Sequence, residues 1–274
     1  MRESKGAWSL RFVALSHDTF VLVNMVSTAL EICRIVDGPD GGTPSLCTIV
    51  QLGLPPLASG TRLSYYSHCM RESVPAYSGA PSLVMEDRPH RRPPFHESPD
   101  EGVVVFVIAV QINMTGTCIF TIVTHPRSLM ALATSASSKV AFIPWETWGP
   151  PVTACFNLHV RPKVDVLIGE RLATLEHGTL SIFDFNSTRI QDAIKRTGDS
   201  IGRSMDMPSV KHRSVILKGK LFKEDAVGEL PYISIVRPAC AGWEGLANYE
   251  EGLAGLSWDS DVRRRRIVLL ALGR

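Results

Sequence analysis

Residues 169–186 read GERLATLEHGTLSIFDFN, and this segment describes a β-hairpin by itself. Two runs rich in apolar and β-branched residues, 172–176 and 179–184, predict two strands. His177 and Gly178 stand between the two runs, where a two-residue turn favours residues that accept positive φ. The segment therefore predicts an antiparallel hairpin with its turn at His177-Gly178.

The register of this hairpin follows from the side chains that it brings together. Closing the chain at the turn gives chemically compatible pairs on one face: Arg171 with Asp184, Ala173 with Ile182, and Leu175 with Leu180. The other face places Leu172 opposite Phe183 and Thr174 opposite Ser181. A slip of one residue would send every side chain to the opposite face, so we expect this register.

Short strands continue on both sides of the hairpin. They are predicted at 19–25, 29–36, 47–52, 62–67, 103–112, 117–124, 214–217, 232–236 and 267–270. The most apolar run, 103–110, is far shorter than the roughly 20 residues of a membrane-spanning helix, and it predicts a buried strand. Helical periodicity is confined to 126–132 and 188–195, the second of these with a cap near Asn186.

Repeated hairpins predict an all-β fold with one or two short helices, in a single domain over 1–274. Hairpins of this kind are typical of propeller blades, so we expect an irregular, incomplete β-propeller-like domain of about four to five blades or blade fragments. A β-sandwich is the alternative. A Pro-rich loop at 71–100 and a polar loop at 197–211 interrupt the strands, and 237–274 is a weakly patterned tail. Trp258-Asp259 echoes the dipeptide of WD-type blades.

The composition excludes several classes of function. Among 274 residues, 29 Lys and Arg against 27 Asp and Glu leave a formal charge of +2. That balance gives no general field for nucleic acid or an anionic membrane, so neither is an expected partner. The first residues carry no apolar core of a signal peptide, and we expect an intracellular protein of the cytoplasm or nucleus. The six cysteines form no C-x-x-C pair, which indicates buried or half-buried thiols in a reducing compartment.

No motif points to catalysis, a metal or a cofactor. The histidines lack the spacing that places two imidazoles on one helical face, and neither a nucleophile elbow nor a phosphate-binding glycine loop occurs. Trp145 and Trp148 are candidate partner-binding residues because exposed indoles concentrate binding energy. The preferred interpretation is a Trp/Pro loop that packs over the end of a sheet. The four arginines 263–266 could serve nuclear import or phosphate contact, although such runs are commonly only solvated.

Five blocks of the sequence carry a resemblance to a known family. They are LSHDTFVLVNMVSTALEICRI (15–35), SPDEGVVVFVIAV (98–110), IPWETWGPPVTACF (143–156), GERLATLEHGTLSIFDFN (169–186) and ELPYISIV (229–236). With these blocks the chain resembles the uncharacterised F-box and F-box-like proteins of mushroom-forming (basidiomycete) fungi. The resemblance implies an irregular propeller that recognises protein partners. It also implies an N-terminal F-box that docks on a ubiquitin ligase, but the F-box opening LP-x-E/D-L is absent here, so ligase docking does not carry over.

Three functions are compatible with these patterns. The first is a non-catalytic protein-interaction module, similar to the substrate-recognition part of an F-box-like protein, with an unknown protein partner. The second is a propeller-type hydrolase or lyase with a site in a central channel. The third is a truncated fragment, or a product of a mispredicted gene, without function.

Overall fold

The computed structural model describes residues 12–38, 42–64, 67–71, 102–113, 116–135, 140–158, 166–176, 178–197, 208–219, 221–238, 243–249, 252–259 and 264–271. Most of these residues lie in strands of several antiparallel sheets, and only three short helices accompany them. None of the sheets closes on itself within those ranges. The all-β class predicted from the sequence is confirmed.

The described residues form the following strands and helices. In chain order they are β1 Phe12–Ala14, β2 Thr19–Asn24, β3 Ala29–Val36, β4 Ser45–Gly53, β5 Thr61–Leu63, β6 His68–Arg71, β7 Val104–Ile112, β8 Gly116–Thr124, α1 Pro126–Ser135, β9 Ala141–Ile143, α2 Trp145–Val152, β10 Thr153–Phe156, β11 Val166–Ile168, β12 Arg171–Glu176, β13 Thr179–Asp184, α3 Ser187–Thr197, β14 Ser209–Lys211, β15 Ser214–Ile216, β16 Ala226–Gly228, β17 Tyr232–Pro238, β18 Trp243–Tyr249, β19 Gly252–Asp259 and β20 Arg264–Ala271.

Four sheets of three to five strands contain nearly all of these strands. Sheet 1 has the order β1-β2-β3-β4-β9, and sheet 2 has the order β10-β8-β7-β5 with β6 also pairing with β7. Sheet 3 has the order β11-β12-β13-β17-β14, and sheet 4 has the order β18-β19-β20. A two-stranded ribbon, β15-β16, forms no strand pairing with these four sheets. The described pairs are antiparallel except for β4 and β9, which run parallel over three residues.

Three apolar clusters join the four sheets. The first core contains residues of sheet 1 and sheet 2 together with side chains of α1 and α2. The second core lies between sheet 2 and sheet 3, and the third contains residues of sheet 3 and Leu246 of sheet 4. Successive sheets along the chain therefore pack on one another through one shared core each.

Strand β7 lies at the centre of this arrangement because both of its faces are buried. Val104, Phe106, Ile108 and Val110 belong to the first core, whereas Val105 and Val107 belong to the second. A strand between two sheets needs apolar residues at consecutive positions instead of alternate ones. The uninterrupted run 103–110 meets that requirement, and its prediction as a buried strand is confirmed.

The hairpin β12–β13 has the predicted register. Arg171 pairs with Asp184 and Leu175 with Leu180, and the Arg171 Nε donates to the Asp184 Oδ2 at 2.8 Å. Gly178 has a φ of +74°, as the predicted turn requires, while His177 lies outside the described residues. The two faces of the hairpin pack in different cores, with Leu172 in the second and Leu175 in the third. This separation explains why a register slip would be costly.

The helices agree only partly with the sequence analysis. Helices α1 and α3 form where periodicity predicts them, and Asn186 caps α3 by accepting a hydrogen bond from the Arg189 backbone N at 3.0 Å. The segment that begins at Trp145 forms the helix α2 instead of the expected loop. Its prolines favour the loop prediction, but contacts with distant strands hold the helical turns in place, as described below.

The C-terminal tail is the largest correction. Residues 237–274 contain the end of β17 and the three strands of sheet 4, whereas the sequence predicts only a strand at 267–270. Strands β18 and β19 read WEGLANY and GLAGLSWD, and their Gly and Ala residues give little β-propensity. The arginines 264–266 begin β20, and Arg263 lies outside the described residues.

Two predicted loops and the cysteines need smaller corrections. The Pro-rich loop 71–100 lies outside the described residues after Arg71, and the end of the polar loop 197–211 forms β14. Cys33, Cys69 and Cys155 are buried as expected, but Cys47 and Cys118 are exposed. Burial raises the pKa of the Cys69 and Cys155 thiols to about 12, so neither is a reactive thiolate.

One buried serine bridges a break in sheet 2. Of the predicted strand 62–67, only Arg62 and Leu63 lie in a described strand, β5, and the Ser67 hydroxyl lies opposite Ala109 of β7, between β5 and β6. The Ala109 backbone N donates to the Ser67 Oγ at 3.0 Å, and the hydroxyl donates to the Ser64 carbonyl at 2.9 Å. The Ser67 hydroxyl thus takes the place of the backbone carbonyl that a continuous strand would offer to the Ala109 N–H.

Ser67→Ala is therefore expected to lower the free energy of unfolding by about 1–3 kcal/mol, because it leaves the buried Ala109 N–H without an acceptor. Ser135→Ala is the matched control: its hydroxyl also bonds a carbonyl, that of Leu132, but at an exposed position. The control should change the stability by less than about 0.5 kcal/mol. Urea unfolding followed by tryptophan fluorescence measures both, and equal values for the two variants would contradict this account of β7.

Candidate interaction site

The two candidate tryptophans lie inside the protein. Trp145 and Trp148 are 4% and 1% exposed and belong to the first core. Their rings meet edge to face, with centroids 5.2 Å apart, and the Trp148 Nε1 donates to the Gly53 carbonyl at 2.8 Å. Neither indole presents a face to a partner in this conformation. Their positions agree with the packing interpretation of this segment, and they place it against sheet 1.

Backbone bonds to distant strands account for the helical form of this segment. The carbonyl of Pro150 accepts the Glu229 backbone N at 2.7 Å, and the carbonyl of Val152 accepts the Thr124 hydroxyl at 2.8 Å. Gly149 lies directly against the Trp145 indole, at a position where a side chain would overlap the ring. Helix α2 therefore connects sheet 1 with sheet 2 and with the segment before β17.

A second candidate for a partner-binding surface lies on the outer face of sheet 1. Strand pairing places five residues side by side across its strands, on the face that points away from the first core: Phe12, Leu22, Glu31, Gln51 and Phe142. We call these five residues the outer row. None of the three apolar clusters formed by the described residues includes a member of it.

The two ends of the outer row are aromatic and largely exposed. Phe12 is 49% exposed and packs edge to face on Phe20, with ring centroids 5.7 Å apart. Phe142 is 60% exposed, and its ring lies so close to Gly53 that an added Cβ there would come within 2.9 Å of it. Exposed aromatic side chains at both edges of one sheet face are candidate anchors for a partner that spans the sheet.

The centre of the outer row is a carboxylate. Glu31 is only 8% exposed, and its Oε1 accepts hydrogen bonds from the Asn24 Nδ2 at 2.8 Å and the Gln51 Nε2 at 2.9 Å. The Ser27 hydroxyl adds a third bond at 3.4 Å. All of these donors are neutral. The described part of the chain places no Lys, Arg or His within ion-pair distance of Glu31.

The turn between β2 and β3 fixes this arrangement. The Asn24 Oδ1 accepts the backbone N–H groups of Val26 at 2.8 Å and Ser27 at 3.2 Å, which leaves the amide nitrogen of Asn24 directed at Glu31. Thr28 adopts a φ of +53° as the turn returns into β3. The carboxylate is therefore held by a pre-organised local structure.

Two further groups of polar contacts are structural: one lies on the third-core face of sheet 3, and the other lies where sheet 2 meets sheet 3. The Asp184 Oδ2 accepts bonds from Arg171 and Arg189, both at 2.8 Å. The His125 Nδ1 lies 3.0 Å from the Gly102 carbonyl and 3.6 Å from the Glu170 Oε1. The Asp184 group ties α3 to sheet 3, and the His125 group ties the residue after β8 to the residue before β12. Because the Asp184 carboxylate and the His125 imidazole are engaged in these hydrogen bonds, neither is available as an acid or base for catalysis.

Burial lowers the pKa of His125 from its ordinary value, and the nearby Arg127 lowers it further, while the bond to the Gly102 carbonyl acts in the opposite direction. The imidazole is therefore neutral near pH 7 and donates from Nδ1.

The outer row is absent from the sequence analysis, although one signal for it exists. Glu31 and Arg34 both interrupt the otherwise apolar strand ALEICRIV, and ionisable residues in such a run are unusual. The aromatic ends give no comparable signal, because Phe142 joins sheet 1 only through the parallel pairing of β9 with β4.

Comparison with known proteins finds no match: no family model, no curated protein and no solved structure matches this chain. Within the described ranges, no group of three or more His, Cys, Asp and Glu side chains could hold a metal ion. No described helix has the length and apolar character needed to cross a membrane.

Gly149→Ala tests the contact that holds α2. In a helix, Ala is intrinsically better than Gly by about 1 kcal/mol. Here the new methyl group would overlap the buried Trp145 indole, so we expect a net loss of about 1–3 kcal/mol of unfolding free energy. Gly116→Ala is the control because nothing lies within 4 Å of its Cβ position. A stabilised Gly149→Ala protein, measured by urea unfolding, would refute this packing.

The lowered pKa of His125 predicts a loss of stability in acid. Unfolded chains take up a proton near the ordinary His pKa of about 6.5, whereas the folded protein resists protonation until a lower pH. The contribution of the neutral His125 to the free energy of unfolding is therefore fully present above pH 6.5, and it is lost as the pH falls below that value. Urea midpoints at pH 7.5 and pH 5.0 should differ more for the wild type than for His125→Asn, which keeps a donor near the Nδ1 position. Equal differences would contradict the prediction.

Proposed function

We propose that this chain is a non-catalytic protein-interaction module with a propeller-like arrangement of sheets, similar in role to the substrate-recognition part of F-box-like proteins. The observation that carries the proposal is the outer row, with its exposed aromatic ends and buried carboxylate. Both faces of sheet 2 and both faces of sheet 3 contribute side chains to the three cores, whereas the outer row of sheet 1 contributes none. The outer face of sheet 1 is the surface suited to a partner.

The order of the sheets supports a propeller-like arrangement over a β-sandwich. A sandwich has two sheets and one core between them. Here four sheets follow the chain order, and three separate cores join them in sequence. Sheet 1 opens with the four-stranded meander β1-β2-β3-β4, and sheet 3 opens with β11-β12-β13, as blades do. We therefore assign sheets 1 to 4 to four successive blades.

The character of the polar groups favours binding over catalysis. The carboxylate of Asp184 is held by two arginines, and the His125 imidazole by a backbone carbonyl. An acid or base that acts on a substrate must exchange its proton at an accessible position. The outer row instead combines aromatic ends with a fixed polar centre, the composition that protein interfaces share.

The partner is expected to depend on both ends of the outer row. The double variant Phe12→Ser/Phe142→Ser should lose at least about nine-tenths of the protein recovered by proximity labelling in the native cell, because aromatic anchors carry most of the energy of an interface. Leu217→Ser is the matched control, since Leu217 is an apolar residue 73% exposed outside sheet 1.

Both proteins must first show the wild-type thermal midpoint, so that loss of folding is excluded. The same set of labelled proteins for the double variant, the control and the wild type would refute the outer face of sheet 1 as the docking surface. Loss of the labelled proteins with Leu217→Ser alone would instead place the docking surface at the loop that carries Leu217.

A further inference from the structure

The structure points to a specific chemistry for the partner: we propose that Glu31 receives an arginine or lysine side chain of a polypeptide docked on the outer row. This inference rests on the proposed function, because it names the class of partner for the same surface. It also assigns a role to the one charged group in the middle of that surface.

The first argument is the unbalanced charge of Glu31. A carboxylate removed from water is costly unless a cation or several hydrogen bonds compensate it. Glu31 has hydrogen bonds on one oxygen only, from Asn24, Gln51 and Ser27, and its Oε2, which no described residue donates to, stays open to solvent at the surface of sheet 1. A guanidinium or ammonium group arriving from outside would supply both the missing donor and the opposite charge.

The second argument is the set of neighbours. Amide N–H₂ groups fill one side of the carboxylate, and these groups donate hydrogen bonds and do not ligate a metal ion. A single carboxylate among them is a poor site for a divalent cation, which prefers several oxygen ligands. Nucleic acid is repelled by the negative charge. A basic side chain of a polypeptide fits, because its apolar stem can lie over Leu22 while its charged end reaches Glu31.

The third argument is the size of the surface. Neighbouring strands lie about 4.8 Å apart, so the four intervals from Phe12 to Phe142 span roughly 19 Å. An extended chain advances about 3.3 Å per residue and needs about six residues to cover that distance. Apolar residues on both sides of a central basic residue would meet the two aromatic ends. The occupant is thus a short basic segment with apolar flanks.

A displayed library of random 12-residue peptides tests this assignment on the full chain. The library is panned on the wild type, and each enriched peptide is then measured on the wild type and on Glu31→Gln, which keeps the shape and removes the charge. We expect enriched peptides to carry Arg or Lys between apolar residues and to bind Glu31→Gln at least ten-fold more weakly. Peptides without a basic residue, equal binding to both proteins, or no enrichment would overturn the proposal.

A second measurement does not depend on the folding of the variant. The best Arg-containing peptide is compared with the same peptide carrying citrulline, which has the shape of arginine and no charge. On the wild type the citrulline peptide should bind at least ten-fold more weakly, whereas Glu31→Gln should distinguish the two peptides little. Equal affinity of both peptides for the wild type would refute the ion pair.

The two proposals can fail separately. If Phe12→Ser/Phe142→Ser loses the cellular partners and Glu31→Gln keeps them, the docking surface stands and the role of Glu31 falls. If both variants keep the partners, the proposed function falls as well.

Discussion

Burial of both faces of β7 is the constraint on which the other layers depend. Its side chains alternate between the first core and the second, so sheet 2 must be covered by sheet 1 on one side and by sheet 3 on the other. Each fully buried Val, Ile or Phe contributes about 1.5–3 kcal/mol relative to exposure. The eight buried residues of the run 103–110, seven of them Val, Ile or Phe, therefore outweigh the local preferences of their neighbours. Hairpin β12–β13 repeats the principle, since its two faces also enter different cores.

The sequence predicts those parts of the fold whose causes are local. The run 103–110, the register of Arg171 with Asp184 and the cap at Asn186 each depend on neighbouring residues, and all three are confirmed. Distant partners decide the rest. Helix α2 depends on a bond from Glu229, far along the chain, and β9 joins sheet 1 by a parallel pairing that no local pattern encodes. Strands β18 and β19 of sheet 4 escape prediction because their Gly and Ala residues give little β-propensity, whereas part of β20 is predicted at 267–270.

The candidate site illustrates the same division. Sequence composition singles out Trp145 and Trp148 as large side chains, but it does not determine which surface an indole meets. Trp148 is buried because its Nε1 has an acceptor at the end of β4. The outer row is determined by strand pairing, which brings residues as distant as Phe12 and Phe142 onto one face. Of the outer row, only Glu31 gives a signal in the sequence, as one of the two charges, with Arg34, within the apolar strand β3.

An uncompensated carboxylate in the middle of a sheet is difficult to explain by stability alone. Val or Thr at position 31 would suit β3 better and would need no polar neighbours. The chain instead supplies Asn24, fixed by its own turn, and Gln51 on the adjacent strand, both directed at one oxygen of Glu31. This organisation keeps a charge in place without neutralising it, and it leaves the second oxygen without a donor from the described residues. The other buried carboxylate among the described residues, Asp184, is neutralised by two arginines of the chain, and this difference supports the proposal that a partner supplies the cation at Glu31.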